Sequence, residues 1–239
     1  MNMFTNNVKP RGRGRPRGRT PQGEAARQRL YEIAIKRIAR NGYEMTTLRE
    51  VAKEAGVSVG LLYRYFPSKR AVIMQLYDEL SADFGRQARQ MRPGKWRTRV
   101  LFALKTSLQV LQPQRTALKA LIPVLVGDPE EGLFAESAAF SRLRVQRVFE
   151  DAVLGASDAP SPPVARALGR LAYLLHLAAL LWWLLDRSPK QRATGALVTL
   201  VEQMLPSASL ALRLPSIRRF ITSADELTRD AIFDAAGAE

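Results

Sequence analysis

The sequence predicts an all-α chain. Apolar residues recur at three- and four-residue spacing, proline and glycine fall between those segments, and neither strand-like alternation nor an internal repeat is present. With 239 residues and 46% hydrophobic content, the chain can bury one large core or two modest ones. The expected division is a disordered basic arm (1–23), a three-helix head (24–84) and a larger helical body (85–239).

Composition narrows the chemistry. There is no cysteine, so disulfides and thiolate metal sites are excluded, and the single histidine, His176, excludes a multi-histidine site. No metal or cofactor is expected. The net charge of +15 and pI near 10.8 suit a polyanionic partner. The opening residues have no apolar stretch of the kind a secretory signal needs. The longest apolar run, Leu171 to Leu185, contains His176 and is shorter than the ~20 residues that cross a bilayer. A cytoplasmic protein without a membrane partner is the expectation.

The arm holds Lys9, five arginines and no acid, interspersed with glycine and proline. Gly12-Arg13-Gly14-Arg15-Pro16 is similar to an AT-hook core. A glycine backbone lies flat in a narrow minor groove, with Arg13 and Arg15 reaching its floor and walls. A tail that only gathers phosphates is the other reading.

In the head, Leu30, Ile33, Ala34 and Ile38 share one face of a first helix over Glu24–Arg40, which stops at Asn41-Gly42. Thr46 or Thr47 caps a second helix, with Glu50 spaced to close a capping box from Thr47. Leu48, Val51, Ala52 and Ala55 form its buried face, and Gly56 ends it. A short third helix follows, ending near Phe66 before Pro67. Val57 and Leu62 point inward, while Ser58, Val59, Gly60 and Leu61 lie at its exposed start. Two short helices with a glycine turn make a helix-turn-helix over 47–66, a unit whose second helix enters the major groove. Phe66 belongs to the core, Tyr63 to the DNA side, and Tyr65 to either.

Thr47-Leu-Arg-Glu-Val-Ala, Ala55-Gly-Val-Ser and Leu62-Tyr-Arg-Tyr-Phe-Pro-Ser-Lys69 together resemble the TetR/AcrR family of bacterial transcription regulators. The resemblance covers residues 24–84; beyond it only the helical character matches. It implies that Thr47 caps and touches phosphate, and that Arg49 reaches a base edge. Ser58, Val59, Gly60 and Leu61 would face the groove. Tyr63 and Tyr65 would pack on or bond to the DNA backbone, Arg64 would reach phosphate or base, and Lys69 would anchor phosphate. Leu61 departs from the small or hydroxylated residue common there. Arginine can pair bidentately with guanine, whereas Val59 and Leu61 offer only apolar contact.

After the head, Ile73, Leu76, Tyr77, Leu80 and Phe84 line one face of a connector helix that Arg92-Pro93-Gly94 breaks. Residues 86–99 carry six basic groups and no acid and read as a solvated surface, with a second DNA contact as the other reading. Body helices are expected over 97–112, 114–126 with a kink at Pro123, 133–154, 163–187 and 190–212. The 163–185 segment is apolar nearly all round, and Ala193, Ala196, Leu197, Leu200, Val201 and Met204 give the next segment a matching face. Paired with symmetry mates, these two helices would form a four-helix homodimer interface. Phe102, Phe140, His176 and Trp183, with Trp96, Phe134, Phe149 and Trp182, are candidates to line an apolar effector pocket; ordinary packing is the other reading of each. A last helix over 223–235, capped by Ser223, is expected to dock on the body or fray.

The expected partners are therefore double-stranded DNA, a second copy of the chain and a small-molecule effector. Together they describe a homodimeric repressor that an apolar effector releases. The alternative is an A·T-preferring architectural DNA binder relying on the arm. No phosphate loop, metal constellation or nucleophile–base pair suggests an enzyme.

Overall fold

The computed structural model describes residues 21–233. The described residues are almost wholly helical and contain no strand. The helices are α1 (Pro21–Asn41), α2 (Leu48–Ala55), α3 (Val59–Tyr65), α4 (Lys69–Ala88), α5 (Trp96–Leu111), α6 (Arg115–Ala120), α7 (Ile122–Gly127), α8 (Ala139–Leu154), α9 (Pro162–Leu185), α10 (Arg192–Ala211) and α11 (Pro215–Thr228). Arg13 and Arg15, with their AT-hook-like setting, lie outside the described residues.

Several boundaries differ from the sequence expectation, each for a local reason. α1 starts at Pro21, inside the stretch assigned to the arm, because proline is tolerated in a first helical turn. It ends at Gly42, whose φ of 85° places it in the left-handed region and whose N–H donates to the Ile38 carbonyl at 2.9 Å. The 114–126 segment is two helices, since Pro123 cannot donate within a continuous ladder and falls in the first turn of α7. α8 begins at Ala139, not Leu133. The Asp128 carboxylate accepts from the Glu130 and Glu131 amides at 2.8 and 2.7 Å, which turns the chain before the helix. Gly132 completes that turn, its N–H donating to the Asp128 carbonyl at 2.9 Å. A Cβ at Gly132 would stand 2.3 Å from the same oxygen. The last helix begins at Pro215, so Ser223 lies inside it and caps nothing.

α9 has 24 residues and is long and apolar enough to cross a membrane by length and composition. The 171–185 run understated it, because the helix also includes 162–170. In this fold it is a body helix: it lies along α8 and α11, and Val164, Ala165, Tyr173, His176 and Trp183 are buried. Gly169 permits the α8 contact, since a Cβ there would fall 2.6 Å from the Glu150 Cα. The Arg170 guanidinium forms a bidentate ion pair with Asp225, fastening α11 to α9.

Arginines from neighbouring helices satisfy carbonyls that helix ends leave open. Arg115 on α6 donates to Trp183 and Asp186 carbonyls at 2.8 Å, closing the end of α9. Arg99 on α5 does the same for α8, bonding Ala152 and Asp151 carbonyls at 2.9 Å. Part of the basic 86–99 run is therefore structural. Arg144 on α8 reaches the Asp78 carbonyl and carboxylate and the Ser81 hydroxyl of α4, at 2.7–3.0 Å.

One apolar core crosses the expected boundary between head and body. Leu30, Ile38, Val51, Leu62, Phe66 and Leu76 of the head are continuous with Leu118, Leu121, Val124 and Trp183 of the body. α1 rests directly on α6, and α4 extends from the head to pack on α5 and α8.

Candidate nucleic-acid interface and cavity

The interface is built around α2 and α3. Thr47 caps α2: its hydroxyl oxygen accepts from the Glu50 amide at 3.3 Å, and the Glu50 carboxylate accepts from the Thr47 amide at 3.0 Å. Thr46, the other cap candidate, is buried, its hydroxyl donating to the Gly42 carbonyl at 2.8 Å. Arg37 of α1 bridges Glu50 at 3.1 Å and Glu54 at 2.8 Å, stapling α2 to the long helix behind it. The Thr47 hydrogen bonds and Arg37 hold the Glu50 carboxyl below its usual pKa.

The turn is as tight as the sequence requires. Gly56 has φ 67°; its amide bonds the Lys53 carbonyl at 3.2 Å and the Val57 amide bonds Ala52 at 3.0 Å, a Schellman closure. Ser58 then caps α3, its side chain accepting from the Leu61 amide at 3.2 Å. Leu62 and Phe66 are buried and anchor α3 to the core. That leaves Ser58, Val59, Gly60, Tyr63 and Arg64 exposed on one short surface, with Leu61 and Tyr65 half-buried beside them. Tyr65 packs on the head core, while Tyr63 is 46% exposed.

Thr47 and Arg49 are exposed at the start of α2. Neither Arg49 nor Arg64 has a hydrogen bond or ion pair among the described residues. Nothing crowds Gly60, where an added Cβ would meet no atom within 4 Å. Lys69 is held differently: its ammonium donates to the Tyr43 carbonyl at 2.9 Å and lies 4.1 Å from the Tyr43 ring centre.

Tyr43 leads to a connection that the sequence analysis missed. Its hydroxyl donates to the Glu131 carboxylate, and the Tyr77 hydroxyl of α4 donates to the Glu131 carbonyl at 3.3 Å. Burial and the adjacent Glu131 carboxylate raise the Tyr43 phenol above its ordinary pKa. Arg70 pairs with Glu130 at 3.1 Å. The 128–135 loop thus clasps the head beside α2 and the start of α4. No local pattern marks Glu131, which lies 88 positions from Tyr43.

The same loop walls a cavity of about 370 Å³ in the body. Leu133 and Phe134 from the loop line it, together with residues of α4 through α9. Of the four sequence candidates, His176 and Trp183 are in its wall and Phe102 and Phe140 are not. Phe140 is 70% exposed on α8 with the Arg144 guanidinium 4.5 Å from its ring centre. Phe102 is half-buried elsewhere on α5. Trp183 offers its ring, while its indole N–H turns away and donates to the Gln191 side chain at 2.7 Å. His176 is buried, pairs through Nε2 with the Ser107 hydroxyl at 2.7 Å and lies against Phe149, ring centres 4.7 Å apart. Burial pushes its pKa down to about 3, so the imidazole is neutral at physiological pH. Among the described residues no group of three His, Cys, Asp or Glu side chains could hold a metal.

A helix-turn-helix closed at both caps, with two exposed arginines and a compact exposed helix face, defines the head as a DNA-binding unit of an all-helical regulator. The family model described as bacterial regulatory proteins, tetR family, matches residues 30–76. Over that stretch, which is the head, the chain is similar to that family. It is 43% identical over 47 residues to the HTH-type transcriptional regulator YuxN of Bacillus subtilis, a match covering 20% of this chain and 16% of that one. To the HTH-type transcriptional repressor KstR of Rhodococcus jostii it is 26% identical over 186 residues, covering 77% of this chain and 84% of the relative. A tetR-family regulator from Streptomyces coelicolor superimposes with a TM-score of 0.57 over 85% of this chain and 89% of its own, at 22% identity, and shares the fold.

Proposed function

We propose that the chain is a homodimeric, cytoplasmic transcriptional repressor, without enzymatic activity, that a small apolar effector releases from its operator. The observation that carries this reading is the continuity between cavity and head. Leu118 and Leu184 line the cavity and belong to the core that seats α1 to α4. The loop bearing Leu133 and Phe134 also bears Glu130 and Glu131, which grip Arg70, Tyr43 and Tyr77. An occupant that moves this wall moves the clasp, and so the angle of the head. Release then follows from different effector affinity in the two states.

In this reading α3 lies in the major groove with Ser58, Val59, Gly60 and Leu61 toward the bases. Gly60 permits close backbone approach. Arg49 and Arg64 supply polar recognition, Tyr63 and Thr47 hold the DNA backbone, and Tyr65 combines core packing with the edge of that contact. Lys69 reaches phosphate only by leaving Tyr43, so its main part is to brace the head. Arg13 and Arg15 add minor-groove or phosphate contact from the arm.

Dimerisation is supported by what one protomer leaves uncovered. Leu175, Trp182 and Leu185 on α9 are 72%, 50% and 52% exposed, and Leu200 and Met204 on α10 are 52% and 62% exposed. Thr194 is the only residue of α10 that the single chain buries. Pairing two such faces would put two recognition helices on one operator.

The test is selection of binding sites from random DNA with the full chain, followed by competition against scrambled duplex at moderate salt. A two-fold site preferred by about a thousandfold or more supports the reading. Equal competition by random DNA overturns it. Arg49→Ala should cost about 1–3 kcal/mol and relax the sequence preference at one position of each half-site.

A further inference from the structure

The cavity says what kind of molecule it takes. Its wall is overwhelmingly apolar, and no carboxylate lines it. Its one cationic wall residue, Arg142, bonds the Leu133 and Ala135 carbonyls at 3.2 and 3.3 Å with its guanidinium against Phe134. Most polar side chains in the wall are likewise engaged. The Tyr77 hydroxyl bonds Glu131, and the Ser81 hydroxyl donates to the Asp78 carbonyl at 3.1 Å.

On α9, two polar atoms of the wall stand apart. The Tyr173 hydroxyl and His176 Nδ1 are buried and have no hydrogen-bond partner. They belong to neighbouring turns of α9, three residues apart and therefore on one face, and both residues line the cavity. Tyr173 is 1% and His176 3% exposed. A buried donor without a partner costs about 1–3 kcal/mol, so such a pair is unusual unless something arrives to meet it. Both groups are uncharged at neutral pH: burial raises the tyrosine phenol and lowers the imidazole to about 3. The Tyr173 O–H donates. In the tautomer where the Ser107 hydroxyl, 2.7 Å from Nε2, donates to that nitrogen, the imidazole proton sits on Nδ1 and is a second donor.

We propose that the effector is a neutral, mainly hydrocarbon molecule with one oxygen acceptor, a ketone, ester or ether oxygen, that accepts from Tyr173 and His176. This deepens the effector reading above and rests on it. A carboxylate would lose its hydration among hydrocarbon walls whose one cation, Arg142, is already engaged by the Leu133 and Ala135 carbonyls, and an ammonium would meet no acceptor charge. A pure hydrocarbon would fill the space and leave both donors unpaired.

Four probes of one shape test this by calorimetry on the full chain: n-butylbenzene, butyrophenone, 4-phenylbutanoate and 4-phenylbutylammonium. Butyrophenone should bind about tenfold to a hundredfold more tightly than butylbenzene, as two added hydrogen bonds warrant, and neither ion should exceed the hydrocarbon. Tyr173→Phe removes an unpaired hydroxyl, so the fold should tolerate it. That variant should keep its affinity for butylbenzene and lose most of the ketone preference. His176→Phe should lose the remainder. Equal binding of ketone and hydrocarbon, tightest binding by either ion, or an undiminished ketone preference in Tyr173→Phe overturns this proposal while leaving the cavity an effector site. Binding of none of the four overturns the effector reading itself.

Discussion

Replacing Leu200 by glutamate tests the proposed pairing of two chains through α9 and α10. Leu200 is 52% exposed on α10 in the single chain. Covering it on association buries about half a leucine side chain, worth about 1 kcal/mol. Two-fold symmetry uses the position twice, so its loss removes about 2 kcal/mol per dimer. Glutamate adds a repulsion. Facing carboxylates about 6 Å apart, at an effective dielectric near 20, oppose one another by about 3 kcal/mol. The total of about 5 kcal/mol raises the dimer dissociation constant by roughly three to four powers of ten. Sedimentation velocity from about 10 nM to 10 μM protomer brackets that change. The natural chain should sediment as a dimer through most of the range and Leu200→Glu as a monomer, with operator affinity lost in parallel. Met45→Glu, at a position 73% exposed on the head, should leave the dimer intact. A natural chain that is monomeric at about 10 μM, or a Leu200→Glu shift smaller than about tenfold, would refute the assignment of this face.

The clasp is tested by Glu131→Gln, which keeps shape but removes the charge that Tyr43 meets; amide exchange over 128–135 should quicken about tenfold, and unchanged protection would show that the contact does not hold the loop. Gly169→Ala pushes a methyl group toward the Glu150 backbone at 2.6 Å and should destabilise the chain by about 1–3 kcal/mol in urea unfolding. Gly195→Ala, with no atom within 4 Å of the added carbon, should be neutral or stabilise by up to about 1 kcal/mol in monomeric chains; comparable losses at both positions would contradict the packing described. For His176 the folded pKa, about 3, lies below the ordinary value near 6.5. Its neutral form therefore contributes stability that is present above about pH 6.5 and lost as pH falls toward 3. At fixed protomer concentration the loss should approach 1.4 kcal/mol per pH unit, and His176→Gln should remove that slope; a natural chain no less stable at pH 5 than at pH 7 would contradict a buried neutral imidazole.

Comparison of sequence and structure separates what is local from what is not. The Thr47–Glu50 box, the Gly56 turn, the burial of Leu62 and Phe66 and the exposed start of α3 could all be read from the chain, because each depends on neighbours within a few residues. The 223–235 helix was misplaced because its true start at Pro215 competed with an equally plausible serine cap at Ser223.

Other features had no local signal. Trp182 and Trp183 are adjacent in one apolar helix, yet one is 50% exposed and the other 1%. Phe134 enters the cavity wall, whereas Phe140 stays outside beneath Arg144. Arg99 and Arg115 resemble surface charges in sequence and are helix caps in space. By itself the sequence determined an all-helical regulator with a helix-turn-helix head, since periodicity, caps and turn residues act within a few positions. The cavity, the clasp of Tyr43 by Glu131 and the choice of which apolar face stays bare were decided only by tertiary structure. Periodicity states that a face is apolar; which neighbour covers it depends on contacts between residues far apart in the chain.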